Sequence, residues 1–187
     1  MKIERIFTDK EIEPFLDELE SLISKYEYFL IDIFPKKILD SDKFSQYEIV
    51  YDSLIDDKNQ SSFLVNENKF INLLKKIWLY NKTKAFVFEC NCENLFKNSD
   101  DIRYFKSIKD SENKTKLINN VYELELLIKL GMREKLYSIL VFEDMEIICW
   151  LGNGLNCSLY SNKEGSMGLM EKMATTEGLY LYKYNNN

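Results

Sequence analysis

The stretch LYSILVFEDMEIICWLGNGLNCSLY, residues 136–160, decides the fold, because turn chemistry and apolar pattern agree there closely enough to set a register. It reads as three antiparallel strands. Two registers compete at the second turn, Gly152-Asn153-Gly154. A two-residue Asn153-Gly154 turn is the commoner hairpin signal, but it sets Leu151 opposite Asn156 and Cys149 opposite Ser158. A three-residue loop with Gly154 left-handed sets Leu151 opposite Leu155, Cys149 opposite Cys157 and Ile147 opposite Leu159. A slip of one residue swaps every side chain to the other face, so the apolar match favours the three-residue loop.

A tight turn at Glu143-Asp144 then pairs Phe142 with Met145, Leu140 with Ile147 and Leu136 with Leu151. One face carries Leu136, Leu140, Phe142, Met145, Ile147, Cys149, Leu151, Leu155, Cys157 and Leu159, broken by Ser138. That is a core face. The other carries Tyr137, Ile139, Val141, Glu146, Ile148, Trp150, Asn156, Ser158 and Tyr160, an amphipathic aromatic surface for a partner or a second packed layer.

Upstream, residues 2–7 alternate as an edge strand, and Thr8 with Glu11 forms a capping box before an amphipathic helix from Ile12 to Lys25, interrupted by Pro14. Residues 28–34 (YFLIDIF) and 85–90 (AFVFEC) read as buried strands. Residues 36–62 are polar and mixed, with a short helix around Phe44 to Ile55, and Ser62–Val65 reads as a brief strand. Asn66 is placed to cap a helix whose buried stripe is Phe70, Ile71, Leu74, Ile77 and Trp78. A short helix is expected from Ser99 to Ile108, with a loop at 110–116. Leu117, Ile118, Val121, Leu124, Leu127 and Ile128 make the clearest helical stripe, with Gly131 as its cap. A Met-rich helix at 165–173 and a strand at 178–184 close the chain. The strand carries Leu179 and Leu181 on one face and Tyr180, Tyr182 and Tyr184 on the other.

These elements imply an α+β fold: a mostly antiparallel sheet of five to six strands with amphipathic helices packed on it. At 187 residues a single domain, 1–187, is expected, with 91–115 as the candidate loop boundary. The N-terminus MKIERIFTDKEIE is not a signal peptide, and no apolar run is long enough to span a bilayer, so a cytoplasmic, membrane-free protein is expected. Scarce alanine with abundant Ile, Lys and Asn suggests an AT-rich bacterial genome.

The net charge of −6 opposes non-specific nucleic-acid binding, which depends on neutralising phosphates, and suits a basic protein partner. There is no histidine, which removes Ser-His-Asp and Cys-His catalysis and His-ligated metals. Cys90, Cys92, Cys149 and Cys157 lack zinc-ribbon spacing, and no cofactor or metal is expected. Two carboxylates in strongly apolar strands, Asp32 and Glu89, are the candidates for acid/base catalysis if they share a cleft; otherwise each emerges at a strand end or pairs with a lysine.

The stronger functional candidate is the aromatic face, with Tyr137, Glu146, Trp150, Tyr160, Tyr180 and Tyr182 as partner-binding residues, since Tyr and Trp anchors dominate interfaces. The leading expectation is a small acidic cytoplasmic protein-binding module, of the bacterial immunity or inhibitor kind that neutralises a basic toxin or nuclease. A histidine-independent carboxylate enzyme using Asp32 and Glu89, and a homodimeric regulatory subunit, are the alternatives.

Overall fold

The computed structural model describes residues 21, 24–52, 54–90, 103, 115–152 and 154–184, with backbone alone at 88–90 and 115. Along the chain run β1 (Glu27–Asp32), α1 (Ser41–Tyr47), a 3-10 turn (Asp57–Asn59), α2 (Ser61–Trp78), β2 (Thr83–Cys90) and β3 (Thr115–Leu117). There follow α3 (Val121–Met132), β4 (Leu136–Phe142), β5 (Ile147–Leu151), β6 (Asn156–Ser161), α4 (Ser166–Thr176) and β7 (Tyr180–Lys183). The strand at 2–7, most of the helix at 12–25, the helix at 99–108, the boundary near 91–115 and Cys92 lie outside the described residues.

The described strands join one antiparallel sheet in the order β3-β2-β4-β5-β6-β1-β7. The α+β class is as expected, but among the described residues the sheet already has seven strands rather than five or six. One strand absent from the expectation is β3, three residues long, in a segment too short and polar to show period-two alternation.

Both hairpins differ from the expected register by two residues, which changes the turns and preserves the faces. Leu140 pairs with Cys149 and Phe142 with Ile147, so the first turn spans four residues, 143–146. The neighbouring chain supplies the reason. Met145 donates its N–H to Asn81 (2.9 Å), Ser166 donates its hydroxyl to the Met145 carbonyl (2.7 Å), and Lys82 N–H donates to Asp144 (2.8 Å). This wider turn buries Met145 and puts Glu146 in left-handed backbone at φ 51°. At the second turn Cys149 faces Leu159, not Cys157. Gly154 is left-handed as expected, at φ 72°. Gly152, at φ 133°, lies so close under the Tyr137 ring that a Cβ would stand 2.5 Å from it.

The core lies between one sheet face and α2, α3 and α4. It holds Ile31, Leu136, Leu140, Phe142, Cys149, Cys157 and Leu159 from the sheet, with Phe70, Leu74, Leu127 and Met170 from the helices. Helix α2 corrects two expectations. Ser62–Val65 is helical, not a strand, and the helix begins at Ser61 rather than after an Asn66 cap. Phe63, Glu67, Phe70, Ile71, Leu74 and Ile77 form one continuous buried stripe at helical spacing. The acid at Glu67 hides that continuity in the sequence.

Helix α3 likewise begins at Val121, where the Asn120 side chain accepts from the Tyr122 N–H at 2.8 Å, leaving Leu117 in β3 and Ile118 in the connection. Gly131 is not its cap. It sits inside the helix, where a Cβ would stand 2.8 Å from that of Leu151, so its role is close approach of α3 to β5. The helix ends in a Schellman pattern with Glu134 left-handed at φ 54°, Lys135 N–H bonding the Leu130 carbonyl and Glu134 N–H that of Gly131.

Candidate functional site

The sheet face opposite the core is not one exposed aromatic surface. At its centre Phe86, Ile139, Val141 and Ile148 are at most 3% exposed, yet none belongs to the main core. Tyr137 and Trp150 are half-buried beside them. Glu146 is exposed on the β4–β5 turn, 3.7 Å from Lys163. Tyr180 is exposed and pairs with Asp32 at the far end of β1, whereas Glu146 adjoins the end of β5 nearer Tyr26. The six expected partner-binding residues are therefore spread over opposite ends of the strands.

Three of the strands, β6, β1 and β7, gather tyrosines into a compact cluster. Register places Tyr28 beside Tyr160, and their rings stack at 5.0 Å and 16°. Tyr184 tilts against Tyr28 at 4.8 Å and accepts a hydrogen bond from Lys37 (2.6 Å), while Tyr28 and Ser158 hydroxyls bond each other at 3.1 Å. Tyr182 donates to Asp32 at 3.2 Å, and the Phe34 N–H bonds the other Asp32 oxygen at 3.1 Å. Burial raises the Asp32 carboxyl above its ordinary value, and hydrogen bonding from Phe34, Tyr182 and the Ile33 backbone only partly offsets it. Tyr182 is pushed well up by burial and then by the Asp32 charge, and Tyr160 is raised by burial first. These groups largely satisfy one another.

Asp32 and Glu89 are not brought together. Their strands, β1 and β2, are four strand positions apart, roughly 19 Å at about 4.8 Å per step. The Glu89 side chain lies outside the description; its backbone follows a bulge in β2 and pairs with Tyr137.

A different region has the character of a contact surface. Helix α1 has no buried residue. Around it Leu39, Phe44, Val50 and Ile55 stand in solvent, with Tyr47 at 66% and Leu54 at 94% exposure. Asp40, Asp42, Glu48, Asp52, Asp56 and Asp57 are exposed among them, and Lys43 is the one base between residues 39 and 57. Six exposed carboxylates thus share this surface with bare apolar side chains, with Lys36, Lys37 and Lys58 at its margins.

This platform is irregular in backbone yet firmly held. Asp40 caps α1 by accepting from the N–H groups of Asp42 and Lys43, both at 3.1 Å. Buried Gln60 accepts from Asp52 N–H (2.8 Å) and donates to the Asp52 and Ile55 carbonyls (both 2.9 Å), replacing the bonds of a regular element. The Tyr51 ring lies 5.3 Å from that of Phe63 and 4.4 Å from the Arg133 guanidinium, and its hydroxyl donates to Asp57 at 3.2 Å. Arg133 in turn grips buried Glu67 through two bonds, 2.6 and 2.9 Å. Burial works against the Arg133 charge, but Glu67 outweighs it and keeps the guanidinium firmly protonated.

Behind the platform Val50 and Glu134 border two adjoining cavities of about 140 and 70 Å³, the smaller reaching Asp32 and Phe44. The short helix expected around Phe44 to Ile55 instead runs from Ser41 to Tyr47, and beyond it the apolar residues of this region follow neither a helical nor a strand period. Its one available signal was Leu and Tyr interspersed with unpaired carboxylates.

Cys149 and Cys157 are free, buried thiols, and burial, then Cys149 beside it, pushes the Cys157 thiol well up. Among the described residues no group of three or more Cys, Asp or Glu is placed to hold a metal ion, and no helix is long and apolar enough to cross a membrane. No family model, curated protein or solved structure matches the chain.

Proposed function

We propose that this protein is an acidic binding module for a basic polypeptide, a bacterial cytoplasmic inhibitor of the kind that neutralises a toxin or nuclease. The observation that carries this reading is the coincidence of bare apolar side chains with surplus carboxylates on the surface around α1. Exposed apolar atoms supply the area that association buries, and a field of one sign speeds and selects the encounter with the opposite sign. A rigid surface binds at lower entropic cost, which fits the Gln60 and Arg133 braces.

Native mass spectrometry of the tagged chain from its own host, at moderate salt, tests this. The reading expects a stoichiometric polypeptide of high pI that re-forms the complex from two purified proteins. A bare monomer would overturn it, and a homodimer would favour the regulatory-subunit alternative. The enzymatic alternative draws support from the raised Asp32 carboxyl alone, since Glu89 stands four strands away.

A further inference from the structure

We infer that the docking surface is the α1 platform, and that its occupant is a basic segment presenting an apolar ridge flanked by Lys or Arg. This rests on the binding-module reading and adds to it the place and the chemistry of contact. The aromatic sheet face is assigned to stability instead.

Two independent features single out the platform. The first is α1 itself, a helix whose apolar residues, Phe44 and Tyr47, have no core to enter. Phe44 meets only the edge of Phe34, at 6.5 Å, among the described ring contacts. A helix with its apolar residues in water gains nothing from tertiary burial, the usual source of helix stability. Here the Asp40 cap and the neighbouring braces hold it in place. The second feature is charge. Asp42, Glu48 and Asp56 have no ion-pair partner among the described residues, whereas Lys43 serves Asp40 and Arg133 serves Asp57. Like charges crowded around an apolar patch repel one another, and a cationic partner relieves that repulsion as the patch is covered.

The cavities behind Val50 complete the surface. Their combined space, about 140 and 70 Å³, admits a side-chain anchor from a ridge lying across α1. The tyrosine cluster is closed on itself instead: its hydroxyls bond Ser158 and Asp32 and its rings stack on each other.

Amide chemical-shift mapping of the full chain with three synthetic helical peptides tests the inference. The peptides are a Leu/Lys amphipathic helix, the same helix with Glu for Lys, and a Lys-rich helix without the Leu ridge. The amphipathic cation alone is expected to shift residues 39–52 and 54–57 saturably, with affinity falling as salt is raised. Tyr47→Ser with Leu54→Ser should weaken it by about tenfold or more; both side chains are exposed, so the fold is kept. Shifts centred on Tyr160, Tyr180 and Tyr182 would overturn this surface while leaving a binding module intact. Equal response to all three peptides, or to none, would also overturn it, and the native mass experiment would then decide the broader reading alone.

Discussion

The tyrosine cluster of β6, β1 and β7 and the platform around α1 look alike in composition, each mixing large rings with carboxylates, yet they have spent those groups differently. In the cluster Tyr28 stacks on Tyr160, Tyr182 bonds Asp32, and Ser158 bonds Tyr28. In the platform Tyr47 and Leu54 meet solvent, and the braces come from residues behind the surface, Gln60 and Arg133. Groups that satisfy one another contribute to folding. Groups held rigid but left unsatisfied remain free for a second molecule. Residue type alone does not separate these cases; the partners of each group do.

The largest effect should come from cutting the brace. Arg133→Met leaves Glu67 buried and uncompensated, so urea denaturation should show a loss of about 3–5 kcal/mol. Hydrogen exchange should accelerate first in 48–56. Replacing Glu67 by Leu in the same chain should recover most of the stability without restoring the Arg133–Tyr51 contact, and so separate platform order from global stability.

Next comes the contrast itself. Tyr160→Ala should cost about 2 kcal/mol of folding stability through lost stacking and burial, and leave binding of the cationic amphipathic helix unchanged. Tyr47→Ser with Leu54→Ser should do the reverse, altering stability by no more than about 0.5 kcal/mol. If both variants moved the same quantity, the distinction between the regions would fail.

Ser138 provides a smaller and independent check on the core face. Its hydroxyl is fully buried and has no hydrogen-bond partner among the described residues. Ser138→Ala should stabilise the fold by about 1 kcal/mol in thermal or urea unfolding.

The smallest effect concerns Asp32. Its folded-state carboxyl is raised above the ordinary 3.8, with burial the leading cause. The folded state therefore holds the proton more tightly than the unfolded chain. That contribution is fully present below about pH 3.8 and is lost as pH rises through the folded value. Asp32→Asn should remove it, so the stability difference, variant minus wild type, should grow in the variant's favour as pH rises across that window. A difference that shrank would mean the carboxylate is stabilised by its tyrosine partner.

The faces of the central strands were legible in the sequence because period-two alternation survives a two-residue change in register. Their exact turns were not, since the β4–β5 turn is shaped by Asn81 and Ser166, remote in sequence. The start of α2 was hidden by Glu67, whose burial depends on Arg133 just past the end of α3. The aromatic residues of the sheet were visible, but their mutual satisfaction depends on strand order, with β1 inserted between β6 and β7. For the platform the difficulty is of another kind. Its order comes from side-chain bonds to irregular backbone, which leave no periodic trace.

Native mass spectrometry from the host, with three baits side by side, separates the platform from the aromatic face as the docking surface. The baits are the wild-type chain, the Tyr47→Ser/Leu54→Ser variant, and a Tyr180→Ser variant of the aromatic face. One basic polypeptide is expected at stoichiometric level on the wild type and on Tyr180→Ser, with its loss from the platform variant. Retention on the platform variant with loss from Tyr180→Ser would contradict it and return the aromatic sheet face to the centre of the function.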